Sequence, residues 1–267
     1  MSVIERQPIL QLHGISKHFG AVQALSEIDF EVYAGEVVAL VGDNGAGKST
    51  LVKTIAGINI PDSGEIMFES RPVVMHGPRD ATRIGIATVY QDLALCDNLD
   101  VVGNLFLGRE QTEPPLPALN EEHMEKRAIE VLSTLAVKLP SVRTAIASLS
   151  GGQRQSTAVA RSVMWDAKVV LLDEPTAALG VAQTKQVLEL IRRLRDQGLG
   201  IVVISHNLAD VFEVCDRIVV LRLGRRVSDF RVKDASREQV VAAITGADIG
   251  RVPEDDPDAG PGAGASA

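Results

Sequence analysis

The sequence predicts an α/β fold built on a mainly parallel core sheet. Four short runs, residues 37–41, 169–172, 201–204 and 218–221, are apolar at every position. A strand apolar on both alternating sets has to be covered on both faces, which is the condition of a parallel sheet flanked by helices. Between these runs lie segments of helical spacing: Met124, Ala128, Val131, Leu132 and Leu135 behind a candidate cap at Asn120, and later Val187, Leu188, Ile191 and Leu194. Residues 8–35 and 60–75 follow another rule, with alternating patterns such as Ile28, Phe30 and Val32 and a turn at Pro61-Asp62-Ser63-Gly64. They predict a small antiparallel β subdomain.

Taken in order, the chain opens with the antiparallel segments. A run that reads as a buried strand follows, then a glycine-rich loop and a short helix closed by Gly57. The stretch from about 92 to 165 carries Pro114, Pro115 and Pro117 in a loop and then helical segments, so it reads as a helical subdomain inserted into the core. The organised region is expected over residues 8–250. Residues 251–267, acidic and rich in Gly and Pro, are expected to form a disordered tail. The body holds no internal repeat, which implies one nucleotide module and not two.

Composition narrows the partners. Of 267 residues, 45% are hydrophobic and 23% charged, as in an ordinary folded protein, while the net charge is −8 and aromatic residues make up only 3%. An acidic, aromatic-poor surface has little to offer a phosphate backbone or stacked bases, so no nucleic-acid partner is expected. The two cysteines, Cys96 and Cys215, lack metal-site spacing. No stretch reaches the ~18 apolar residues of a spanning helix, and the start lacks a signal-peptide layout. The expected place is cytoplasmic, with any membrane supplied by a partner.

The residues that carry chemistry begin at Gly42-Asp43-Asn44-Gly45-Ala46-Gly47-Lys48-Ser49-Thr50, which fits G-x-x-x-x-G-K-[ST] between a buried strand and a helix. The glycines let backbone approach phosphate, and the helix start directs N–H groups at the anion. Lys48 should reach the β- and γ-phosphates of ATP, and Ser49 should ligate Mg²⁺. A P-loop NTPase is therefore predicted. Asp173 and Glu174 end the apolar run 169–172, at the strand end where open α/β sheets bind ligands. Asp173 is placed to hold Mg²⁺ and Glu174 to polarise the attacking water.

Leu149-Ser150-Gly151-Gly152-Gln153 resembles the signature of ATP-binding cassette (ABC) proteins, and the resemblance extends over roughly residues 8–250. It implies further roles. Gln91, after the strand-like residues 86–90, resembles the glutamine that contacts Mg²⁺ and senses the membrane partner. His206 resembles the switch histidine at the γ-phosphate, and Phe19, in Lys17-His18-Phe19-Gly20, the aromatic that stacks on adenine. The other histidines, His13, His18, His76 and His123, have no such context and read as surface residues. In the family the signature of one subunit closes over nucleotide held by another, so a homodimer in the ATP-bound state is implied. Ser150, Gly151 and Gly152 would then meet a γ-phosphate across that dimer.

One departure stands out. Where the family usually reads Ser-Ala-Leu-Asp after Asp173-Glu174-Pro175-Thr176, this chain reads Ala177-Ala178-Leu179-Gly180. The missing aspartate implies altered communication between the two sites or slower hydrolysis, with activity retained through Lys48, Asp173, Glu174 and His206.

The segment Asn104-Leu105-Phe106-Leu107-Gly108-Arg109-Glu110 resembles that of monosaccharide importers of the ribose, xylose, galactose and fructose type. The single cassette and the Ala-Ala-Leu-Gly loop resemble the fructose-like branch. An importer ATPase is implied, peripheral on the cytoplasmic face of two transmembrane permease subunits that are fed by an extracytoplasmic solute-binding protein. An ABC importer or exporter for another solute would share the same catalytic residues. A soluble non-transport ABC ATPase is a second alternative, and a cassette that only binds ATP a third.

Overall fold

The structure is a computed structural model, and it describes residues 7–113 and 118–247. The expected tail at 251–267 lies outside the described residues, as do Pro114, Pro115 and Pro117 of the expected loop, with Leu116 between them.

Two sheets meet across one layer of apolar side chains. The first is antiparallel, in the order β2 (Val22–Val32), β1 (Leu10–Phe19), β4 (Ser63–Phe68), β5 (Arg71–Pro72). The second is the core sheet. Its six strands run β12 (Arg225–Arg231), β11 (Arg217–Arg222), β3 (Val37–Val41), β10 (Gly200–Ile204), β9 (Val169–Asp173) and β6 (Ile86–Val89). All neighbouring pairs are parallel except β11 with β12.

The alternation within each core strand explains why the runs are apolar throughout. Val37, Ala39, Val41, Val170, Leu172, Ile201, Val203, Ile218 and Val220 belong to one buried cluster, shared with helices. Their neighbours Val38, Leu40, Val169, Leu171, Val202, Ile204, Val219 and Leu221 belong to the other. That second cluster packs against the antiparallel sheet and α1 (Lys48–Ile55). Neither face of the sheet can turn to water, so a polar side chain anywhere within these runs would be buried.

The helices of the first cluster include α3 (Val101–Phe106), α4 (Glu121–Thr134), α5 (Gly151–Val163), α6 (Val181–Asp196), α7 (Leu208–Val214) and α8 (Arg237–Thr245). Helix α2 (Pro78–Ile84) lies on the other side, with Ala81 in the second cluster. The cap expected at Asn120 is present, its side chain accepting from the His123 amide. A two-stranded hairpin, β7 (Thr112–Glu113) with β8 (Ala118–Leu119), interrupts the stretch expected to be loop and helix.

The segment leading into α3 is fixed by a polar side chain rather than by packing. Asn104 is fully buried; its Oδ1 accepts from the Cys96 amide at 2.7 Å and its Nδ2 donates to the carbonyls of Cys96, Leu99 and Asp100. Losing that side chain would leave the partly buried Cys96 amide without its acceptor, take one donor from each of three carbonyls and open a cavity at a fully buried position. Asn104→Ala is therefore expected to lower unfolding free energy by about 2–4 kcal/mol in urea denaturation followed by circular dichroism.

Candidate functional site

Four loops leave the same edge of the core sheet. Strand β3 runs into residues 42–47, β10 into Ser205 and His206, β9 into Glu174, and β6 into Tyr90 and Gln91. Parallel registers align their ends: Ile204 pairs with Leu40 and with Asp173, and Val89 with Leu172. Residues separated by up to 164 positions in sequence therefore converge on one C-terminal edge, where an open α/β sheet takes its ligand.

The glycine loop is held in a shape that only glycine allows at two points. Gly42 has φ 149° and a Cβ there would lie 2.1 Å from the Leu221 carbonyl oxygen; Gly47 has φ 102° and a Cβ would lie 2.8 Å from that of Ala24. The loop is thus pressed between β11 and the start of β2. Lys48, 6% exposed, donates through Nζ to the carbonyls of Gly42 at 2.6 Å and Asp43 at 2.9 Å. Burial pushes the Lys48 ammonium pKa down, against the opposing pull of Glu174, Asp43 and Asp173. Ser49 and Thr50 follow in the first turn of α1, whose leading amides have no acceptor within the helix.

Asp173 and Glu174 face different tasks because their environments differ. Burial and the neighbouring Glu174 charge raise the Asp173 pKa. Among the described residues no hydrogen bond or ion pair reaches its carboxylate. A carboxylate is a hard oxygen donor of the kind that suits Mg²⁺, an ion that takes few protein ligands and keeps substrate phosphates and water. Glu174 sits in the left-handed region at φ 50°, with its amide on the Ile204 carbonyl, so β9 ends abruptly there. The turn brings its Oε1 to 2.9 Å from His206 Nε2.

His206 is held by its neighbours. The Ser205 hydroxyl accepts from the Asn207 amide, and Asn207 caps α7 by accepting from the Ala209 amide. Behind the pair, the Thr176 hydroxyl donates to the nearly buried Asp210 at 2.7 Å, tying the loop after Glu174 to the helix after His206. Thr176 and Asp210 carried no motif signal, since their partnership spans 34 residues.

Gln91 is exposed, and the segment after it is pinned by Arg161 of α5, which donates to the carbonyls of Leu93 and Ala94. Phe19 lies at the end of β1, half exposed, opposite Val22. Ser150 and Gln153 form a capping box: Ser150 Oγ accepts from the Gln153 amide, and Gln153 Oε1 from the Ser150 amide. This signature is not brought to the glycine loop within the chain. Gly151 and Gly152 instead abut α6 and its lead-in, where an added Cβ would meet Leu179 and Gln183 at 3.0 and 3.1 Å.

Residues 25–177 match the ABC transporter family. The chain is also 47% identical over 248 residues to the fructose import ATP-binding protein FrcA of Rhizobium meliloti, covering 91% of this chain and 95% of that protein. The chain belongs to the ABC transporter family. The xylose/arabinose import ATP-binding protein XylG of Sulfolobus acidocaldarius is 43% identical over 91% of this chain and 96% of its own length. The ribose import ATP-binding protein RbsA of Clostridium tetani is 35% identical, and this cassette spans 48% of it. Among solved structures, an ATP-binding cassette of an ABC transporter in its ADP conformation superposes with a TM-score of 0.77 at 25% identity, covering 90% of this chain and 96% of that one. As an ABC cassette the chain binds and hydrolyses ATP.

A carboxyl whose pKa is raised by folding costs stability in its ionised form above that pKa, and the cost disappears as pH falls through it. Asp173→Asn is therefore expected to raise the thermal midpoint of the nucleotide-free protein at pH 7, by an increment that shrinks as pH approaches the carboxylate range. Differential scanning calorimetry across that pH series checks it.

Proposed function

We propose that this chain is the ATP-hydrolysing subunit of an importer for a monosaccharide, working as a homodimer against transmembrane permease subunits. The reading is supported above all by similarity over nearly the whole of two single-cassette sugar import proteins. Among the described residues no helix is long and apolar enough to cross a membrane, which suits a subunit docked on permeases at the cytoplasmic face. An extracytoplasmic solute-binding protein would select the sugar, so no residue here needs to touch it.

The geometry supports a division of labour. The amides of residues 44–49 and the Lys48 ammonium bind the β- and γ-phosphates, neutralising charge as the bond to the γ-phosphate loosens. Ser49, Asp173 and Gln91 are the residues that would hold Mg²⁺, which when bound offsets phosphate charge. Glu174 orients and polarises the attacking water, and His206, already within hydrogen-bond reach of that carboxylate, turns to the γ-phosphate. Phe19 offers its half-exposed ring to adenine. Ser150, Gly151, Gly152 and Gln153 serve the nucleotide of the second subunit: the signature lies away from this chain's own glycine loop, and a related cassette bound to ADP and phosphate is dimeric, with a TM-score of 0.69 at 25% identity. Permease helices would dock beside Gln91, in the cleft where Arg109 stacks on Trp165 at 4.9 Å and Arg161 holds the backbone.

Three outcomes are expected. Glu174→Gln should lower steady-state phosphate release by about 10²–10⁴-fold while ATP still binds and drives dimer formation in light scattering. Gly180 begins α6 with open space around it, so Gly180→Asp fits without strain and should change both the turnover rate and its cooperativity in ATP; unaltered values would refute a coupling role for this position. Isolation from native membranes in mild detergent should bring down a polytopic permease and a sugar-binding protein. Recovery of ribosomal or DNA-repair proteins instead would overturn the transport reading and leave the ATPase intact.

A further inference from the structure

The last three residues of β1 lack the support the rest of the strand enjoys. Pairing of β1 with β4 ends at Ser16 and Ser63, and the ladder to β2 shifts register between Ile15 and Lys17 and again between Lys17 and His18. A strand end with one irregular neighbour is free to fray. Here a single side chain replaces the missing ladder. Asp62, in the turn before β4, accepts from Lys17 Nζ at 2.7 Å, from the His18 amide at 2.6 Å, and lies 3.3 Å from His18 Nδ1. Its own amide donates to the Ser16 carbonyl at 2.9 Å. Although Asp62 is exposed, Lys17 and the His18 amide hold its carboxyl down to about 2, so it stays ionised throughout the range in which the protein works.

The held strand end carries an aromatic ring. Lys17 Nζ, fixed by Asp62, stands 5.7 Å from the centroid of Phe19, within cation–π range. Phe19 pairs with Val22, and both remain largely exposed, so an apolar face is presented to solvent by a residue whose partner strand runs directly to Ala24, against Gly47 of the glycine loop. An exposed ring on a frayed hairpin would have to be ordered on each binding event, and that ordering would subtract from affinity.

We infer that Asp62 is a positioning residue for nucleobase capture: it locks Lys17 and His18 so that Phe19 stands pre-ordered as a stacking platform beside the phosphate loop. The inference rests on the proposed role of Phe19. It gives His18, which the sequence leaves as a surface residue, a place in the binding apparatus through its backbone amide.

The test uses the full chain titrated with Mg-ADP and, separately, with inorganic tripolyphosphate, which offers phosphates and no base. Asp62→Ala is expected to weaken ADP by about fivefold, part of what stacking on one aromatic contributes, while tripolyphosphate stays within about twofold. In steady-state hydrolysis KM for ATP rises by the same factor and kcat is unchanged. Asp62→Asn, which keeps an acceptor for the His18 amide, falls between. In the double variant Phe19→Ala/Asp62→Ala the loss is no greater than in Phe19→Ala alone, because both act through one ring. Equal weakening of ADP and tripolyphosphate, additive losses, or an unchanged ADP affinity in Asp62→Ala overturns the inference. Unchanged ADP affinity in Phe19→Ala refutes the stacking platform itself, and the positioning role falls with it.

Discussion

An ammonium group buried against the carbonyls of its own loop is the feature on which the rest of this molecule depends. Lys48 can sit at 6% exposure only because Gly42 and Gly47 let backbone turn where a side chain would strike Leu221 or Ala24. Those two walls come from distant parts of the chain: Leu221 lies near the end of the core strand β11, and Ala24 belongs to the antiparallel sheet. The glycine loop is therefore the joint between the two sheets as well as the proposed phosphate cradle. A buried cation in turn demands anionic company, supplied by Asp173 and Glu174 on the next strand but one.

The two adjacent carboxylates are kept distinct by a change of backbone. Asp173 still belongs to its strand and stays partly buried, where its charge is disfavoured. Glu174 leaves the strand through a left-handed turn and reaches His206. Strain at one residue thus separates a group suited to a cation from one suited to water, the kind of local cost that binding sites carry and cores avoid.

A single helix links the signature to the segment after Gln91. Helix α5 begins with the signature at Ser150, packs its glycines on Leu179 and Gln183, and farther along uses Arg161 to hold the carbonyls after Gln91. One rigid helix therefore touches both the loop preceding α6 and the segment following the glutamine.

The sequence by itself determined the local chemistry. Apolar runs covered on both faces, the glycine spacing before Lys48, the cap at Asn120 and the carboxylates at a strand end all follow from residues near one another, because backbone sterics and period decide them. It also carried the family, since Leu149-Ser150-Gly151-Gly152-Gln153 is a contiguous word. What it could not carry was anything whose partners lie far along the chain and belong to no motif. The order β3, β10, β9, β6 places the four site loops side by side, yet nothing local says that the strand formed after β9 inserts between β9 and β3. Thr176 with Asp210, and Asp62 with Lys17 and His18, are likewise products of tertiary packing. A polar side chain shows its partner only when folding removes the water that would otherwise have served it.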